Sequence, residues 1–420
     1  MLSTGKIAEV LFEKTLEIME AQQMLLSLTM FEQPDGATQQ NASNFVWRPV
    51  QQHAPIIDGW DLTGLETGII EETYPSILGT PKNDFVSQRA DDLRTLRFWE
   101  DRASASAIRQ AAELNKNIAN AIATQGSLFV RSNVASGFDF LAAAQVAMNE
   151  RQSNKTTRNF LLNDRDTMKF AQDLAGRQTL QGRPETTWAT GQIGNNIAEF
   201  DVHTGSFLPN LAGGASPGST VTGAQTFAPS GGTVDSTTGI VTNVDYRTAN
   251  IPVNTSVGYN IGDKVNIGAV QSVGLMDKTP TNQLMTFTIV GIPDGTTLTV
   301  YPKPIAVVDA ALTTLEKAYA NTDVVIPNAA VVTRLNTAAS EKTNLFWDKS
   351  AIEVQGGNIP ANLFQDYDGM KSMSDTMVNG QVLYMVYDGN IETMSFRYRL
   401  FTWYGITVAN PQGCGVALSY

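Results

Sequence analysis

The sequence predicts an α+β fold in which a small antiparallel β domain is set into a larger mixed host domain. A long, Ala-rich amphipathic segment ends at Gly126. Elsewhere strands and helices mix without the regular alternation of a doubly wound parallel sheet. Residues 220 to 305 alternate apolar and polar side chains in the manner of half-buried antiparallel strands. A chain of 420 residues with 42% hydrophobic content can fill the cores of two or three domains.

Taken in order, residues 6 to 26 read as an amphipathic helix, with Ile7, Val10, Leu11, Ile18 and Leu25 on one stripe. Glu9, Glu13, Glu17 and Glu20 recur at helical spacing and share one side of it. Like charges so placed cost about 0.2–0.5 kcal/mol per pair in an isolated helix, so the face is either solvated or a dock for a basic partner. Residues 35 to 90 carry many turn residues, with Trp47 and Trp60 as aromatic anchors, and such a stretch needs an outside surface to order it. Asp91 and Asp92 suit the positive end of the helix that follows, whose expected apolar stripe is Ile108, Ala111, Ala112, Ile118 and Ile122. Ser136 to Asp139 resembles a helix cap, and Phe160-Leu161-Leu162 followed by Asn163-Asp164 reads as strand, turn and helix start. In the β domain, Val265 and Ile267, then Met285, Phe287 and Ile289, then Leu298 and Val300 should face one core. Ile292-Pro293-Asp294-Gly295 marks a hairpin turn between strands.

Charge and chemistry narrow the function. With 29 Lys+Arg against 41 Asp+Glu the net charge is −12, which disfavours binding of nucleic acid through a basic groove. Only 17% of residues are charged, against about 25% in typical chains. Uncharged polar surface is cheaper to desolvate and suits contact with further copies of the same chain. Cys414 is the single cysteine, which leaves no internal disulfide or multi-cysteine metal site, and it reads as a small packed residue. His53 and His203, the two histidines, stand near no motif serine or cysteine. Phosphate-loop, dinucleotide and zinc-protease signatures are absent from the sequence. The Asp91-Asp92 pair projects about 100° apart on a helix and reads as a helix start rather than a catalytic centre, and Asp366-Tyr367-Asp368-Gly369 lacks the remaining calcium ligands. No catalytic residue, cofactor or metal is expected. The opening residues lack a secretory pattern, and no apolar run is long enough for a membrane span.

Trp47-Arg48-Pro49-Val50, Gly59-Trp60-Asp61-Leu62-Thr63, Asn83-Asp84-Phe85, Arg89 to Arg94, Gly223 to Phe227, Gly262-Asp263-Lys264, Pro302-Lys303-Pro304, Ala318 to Asn321, Thr343 to Trp347, Ile359 to Asn362 and Trp403-Tyr404-Gly405 follow one another over nearly the whole chain. In that order and spacing these stretches resemble the major coat protein of the P-twenty-two-type short-tailed phages, which have the Hong Kong 97 capsid fold.

The resemblance implies an N-terminal arm at 1–31, an extended loop with flanking peripheral strands at 32–91, and a spine helix of the peripheral domain at 92–126. It further implies axial domain and peripheral strands at 127–220, an inserted six-stranded antiparallel β-barrel at 221–341, and completion of the axial and peripheral domains at 342–420. The implied function is a shell subunit of the virion and not an enzyme. It would assemble in the host cytoplasm into pentamers and hexamers with a scaffolding protein and a portal protein, enclose double-stranded DNA without reading its sequence, touch no membrane, and expand on packaging.

By the same resemblance Glu13, with Glu9 and Glu17 beside it, would receive a basic segment of the scaffolding protein. Trp47, Trp60 and Asp61 would lie in the loop that crosses a neighbouring subunit, and Asp235, Asp245 and Arg247 in the loop that reaches the next capsomer. That last loop, about 229 to 246, is poorer in charge than the family pattern. An adhesion module built on the β domain would need exposed aromatics there, and residues 221 to 341 hold few aromatics and no Trp.

Overall fold

The computed structural model describes residues 4–33, 44–50, 56, 58–61, 63–64, 72–89, 96–132, 137–153, 155–176, 197–215, 218–229, 233–234, 241–242, 245–337, 339–359, 371–390 and 392–419. The chain divides into two compact units. The first comprises Met1–Val46, Ser76–Ile118 and Glu353–Thr407, and the second Trp47–Pro75, Ala119–Ile352 and Val408–Tyr420. The Asp91-Asp92 pair, the Ser136 cap, His53 and the Asp366–Gly369 stretch lie outside the described residues.

In the first unit the sequence's opening helix is Thr4–Gln22, followed by the short helix Met24–Ser27. Gln23 breaks the run at φ −84°, ψ 63°. Its amide donates to Gln381 Oε1 at 2.8 Å and accepts from Asn379, so the break is held by side-chain bonds. Ile7, Leu11 and Met19 pack with Trp99, Ala103, Ala107 and Ala111 of the long helix Leu96–Gln125 and with Leu383, Met385, Phe396, Tyr398 and Leu400. The last five come from a four-stranded antiparallel sheet in the order Lys371–Thr376, Val382–Asn390, Ser395–Thr402, Lys82–Arg89. Small residues at 103, 107 and 111 let the helix backbone approach its neighbours closely. The expected stripe is thus partly displaced: Ala111, Ile118 and Ile122 are buried, but Ile108 and Ala112 are exposed. Positions 108 and 112 sit about 100° or more from the face centred on Trp99, Ala103 and Ala107. Alanine gives little contrast by which to fix that face in advance.

The second unit holds two larger sheets. One is mixed and six-stranded: Leu128–Ser132, Cys414–Ser419, Glu341–Asp348, Arg158–Leu162 and Phe200–Thr204 in order, with Asn210–Leu211 also paired to Glu341–Asp348. Helices Gly137–Glu150 and Asp164–Gly176 supply its cover. Phe160 stands among Phe140, Phe200 and Phe346 at ring separations of 5.8, 5.6 and 6.1 Å. The helix start expected at Asn163-Asp164 is present, with Asn163 Oδ1 accepting from Asp166 N at 2.9 Å. Asp166 is itself buried, and its Oδ2 accepts from Asn163, Asn344 and Ser419 at 2.8, 2.7 and 2.6 Å. A buried carboxylate is tolerable because each such bond offsets part of its lost hydration.

The other sheet is antiparallel and five-stranded, in the order Ala249–Pro252, Thr297–Tyr301, Pro280–Asp294, Lys264–Val273, Val332–Arg334. Val265, Ile267, Met285, Phe287, Ile289, Leu298 and Val300 share one core, as their alternation requires. Two expectations need correction. The hairpin turns two residues later than the Pro-Asp-Gly signal suggests: the strand runs through Pro293 to Asp294, which pairs with Thr297. A register shift between Gly291 and Asp294 takes up the proline, which cannot donate to the ladder. Asp294 then closes the turn by accepting from Thr296 N at 2.7 Å.

Nor is the sheet a closed six-stranded barrel. Ser219–Thr222, where a sixth strand would lie, makes only isolated bridges, Val221 to Val253 and Thr220 to Val331. That segment is too short to form a ladder with both edges at once. Its backbone instead bonds to each edge: Thr222 N to Pro252 O at 2.9 Å on one side, Val332 N to Ser219 O at 2.7 Å on the other.

Candidate functional site

No clustered reaction centre is found among the described residues. Among the described residues no group of three or more His, Cys, Asp or Glu is placed to hold a metal ion, and no helix is long and apolar enough to cross a membrane. His203 is half-buried and its pKa is lowered by burial, against the pull of Asp201. Cys414 is buried, and burial pushes its thiol up to about 12 with Lys264 opposing, which leaves it protonated and unreactive at neutral pH. A cleft of about 200 Å³ in the second unit is lined by Tyr74, Tyr246, Lys278, Lys303 and Tyr319 among others, and among the described residues no carboxylate, imidazole or thiol lines it. Lys278 is pushed down to about 8 by burial, with Asp277 opposing, and donates to Ala320 O at 3.2 Å.

What the molecule offers instead is a set of separate surfaces. On the first helix the apolar stripe is turned inward and the acidic side outward. Glu9 and Glu13 are exposed, and Glu17 is exposed while accepting from Lys14 Nζ at 2.7 Å. Glu20 is half-buried and caps the Val378 amide at 2.7 Å, so it belongs to the fold rather than to the open face.

Phe45–Pro49 and Thr73–Ile77 form a two-stranded ribbon. Trp47 is half-buried in it, whereas Trp60 beyond it is fully exposed. Asp61 accepts from Thr63 N at 3.0 Å and from its hydroxyl at 2.6 Å, bonds that hold its carboxyl below the usual carboxylate range. These bonds make a local turn beside the indole.

Asp235 lies outside the described residues. Asp245 and Arg247 meet each other: Arg247 Nε and Nη2 donate to the two carboxylate oxygens at 2.9 and 3.0 Å. Arg247 is 8% exposed, donates also to Val408 O, and stacks 5.1 and 5.3 Å from the rings of Tyr74 and Tyr301. Burial works against its charge, but Tyr301 and Asp245 outweigh burial and raise its pKa. Adjacent strands Thr233–Val234 and Val241–Thr242 pair as a short antiparallel ribbon. Among the buried charges that the sequence reading missed is Lys264, because a lone lysine in an alternating strand looks like any solvent-facing position.

The described residues thus form a mixed α+β fold whose notable groups are spread over separate surfaces. The comparisons give the family: the chain matches the model of the P22 coat protein, gene protein 5, over residues 1–419, and it belongs to that family of bacteriophage major capsid proteins, components of the virion. Among solved structures it is similar to the capsid of Cyanophage P-SCSP1u (10% identity, 94% of this chain and 86% of that chain covered, TM-score 0.45). It is also similar to Mycobacterium phage Che8 (12% identity, 91% and 88% covered, TM-score 0.40). The I-domain of the CUS-3 coat protein matches at 32% identity over 30% of this chain and 100% of that chain, with a TM-score of 0.23.

Proposed function

We propose that this coat protein builds an icosahedral shell of pentamers and hexamers around a portal, directed by a scaffolding protein whose basic segment docks on the first helix, and that the shell expands as double-stranded DNA is packaged. The observation that carries the scaffold assignment is the outward row Glu9, Glu13 and Glu17 on a helix whose opposite side is committed to the core. Like charges held in a row raise the energy of the free surface, and a basic partner relieves that cost.

In this reading 1–31 is the arm, 32–91 the extended loop, 92–126 the spine helix, and 127–220 with 342–420 the axial and peripheral regions. Residues 221–341 form the insertion domain, which stabilises the subunit through its own core. Trp60, fully exposed among the described residues, is the loop's anchor on the next subunit, with Trp47 and Asp61 at its flanks. The stretch between Pro229 and Tyr246, Asp235 included, makes the contact to the next capsomer, and the Asp245–Arg247 pair fixes its base. Many weak contacts repeated by symmetry close a shell while each stays correctable.

The test is Glu13→Lys, co-expressed with the scaffolding protein and viewed by electron microscopy. Loss of closed shells, with circular dichroism and monomer stability unchanged, is the expected result. A normal yield of procapsids from that variant would sink the assignment.

A further inference from the structure

Within the second unit the last carbonyl of the long helix ends inside the molecule. Gly126 follows Gln125, and its C=O accepts from Thr288 Oγ1 at 2.6 Å and from Lys264 Nζ. Lys264 Nζ also donates to Thr288 Oγ1 at 3.0 Å. Lys264 and Thr288 are cross-strand partners in the five-stranded sheet, so two of its strands grip one helix end. Gly126 is needed there, since a Cβ would meet Ile122 O at 2.8 Å and Cys414 O at 3.0 Å. Lys264 is fully buried.

A neutral amine has two N–H groups, and this site gives Lys264 two acceptors. An ammonium has a third N–H, for which no acceptor exists among the described residues, and it brings a charge into a fully buried place. The groups able to compensate are few. Asp263 is buried beside it, but its carboxylate is engaged by Gly214 N, Asn260 N and Asn336 Nδ2. Cys414 is close enough to act electrostatically but remains a neutral thiol. The negative end of the helix dipole favours the charge. Burial outweighs all three and pushes the lysine down to about 7.

We propose that Lys264 is a proton-operated latch between the end of the long helix and the five-stranded sheet: the neutral amine holds the junction closed, and uptake of one proton loosens it. The sign follows from linkage. The unfolded lysine titrates near its ordinary value of about 10.4, so between about 7 and that value the unfolded chain binds the extra proton and the folded state gains stability as pH rises. Below about 7 both states are protonated and this contribution is flat.

The experiment is hydrogen exchange of the full-length monomer, read at the amides of Ile122 to Ser127 and corrected for intrinsic rates, from pH 6 to 8.5. Wild type is expected to gain about tenfold protection over that range, Lys264→Met to show none of that dependence, and Lys264→Arg, which cannot deprotonate, to stay poorly protected throughout. Equal pH dependence in wild type and Lys264→Met overturns the latch. If neither variant folds, the wild-type chain decides alone, because protection that does not change from pH 6 to 8.5 is incompatible with it.

Discussion

Replacing Arg247 by Met separates a role inside the subunit from one between capsomers. The Arg247 side chain is 9% exposed and bound to that of Asp245, which is 27% exposed, so the pair is mostly but not wholly desolvated. Removing one partner of a fully buried pair costs about 3–5 kcal/mol, because the other charge stays behind unpaired. Two features lower that figure here. Asp245 keeps access to water, and Val408 O retains a second donor, the Tyr301 hydroxyl at 2.8 Å. Methionine also keeps much of the apolar stem between Tyr74 and Tyr301.

A loss of about 2–3 kcal/mol is therefore expected for the Arg247→Met monomer, seen as a lower urea midpoint with unchanged slope. Combining it with Asp245→Asn should recover a coupling of about 1–2 kcal/mol in a double-mutant cycle. An Arg247→Met monomer that unfolds at the wild-type midpoint, while its shells lose stability, would refute the reasoning and move the arginine to an intercapsomer contact.

Trp60→Ala should shift the monomer by less than about 0.5 kcal/mol, as exposed positions do, while lowering the temperature at which shells dissociate; a monomer destabilised to the same degree as the shell would place the indole inside its own subunit. Cys414 should resist alkylation in the native monomer at pH 8 and react fully in urea, and rapid native labelling would contradict its burial and raised pKa.

Pattern with strong chemical contrast was readable in advance. Alternation of Val265, Ile267, Met285, Phe287 and Ile289 located one core of the second unit because a strand's two-residue period leaves one choice of face. Asn163 marked its helix start because a short amide side chain can cap a free amide nowhere else so well. The long helix was found but turned to the wrong side at Ile108, since the residues that face the core at 103, 107 and 111 are alanines. Pro293 was read as the corner of a turn, although a shift in cross-strand register absorbs it within a strand. The second misreading comes from a register shift within the hairpin itself, and the first from packing between segments far apart in sequence, a term that local pattern does not contain. The same holds for Lys264, whose partner Gly126 is 138 residues away. For the acidic face, the sequence supplied the spacing and the fold supplied the distinction between Glu20, spent on Val378, and the three carboxylates left outward.

Ser219–Thr222 has a further consequence for a protein that is made to be crowded. Bare edge strands at high concentration invite pairing with the edges of other copies, which leads to open-ended aggregates. Here a four-residue segment supplies backbone bonds to both edge strands of the five-stranded sheet. Those edges therefore offer fewer free amides and carbonyls to a neighbour. Association is left to side-chain surfaces, where geometry can stop growth at a closed particle instead of an endless fibre.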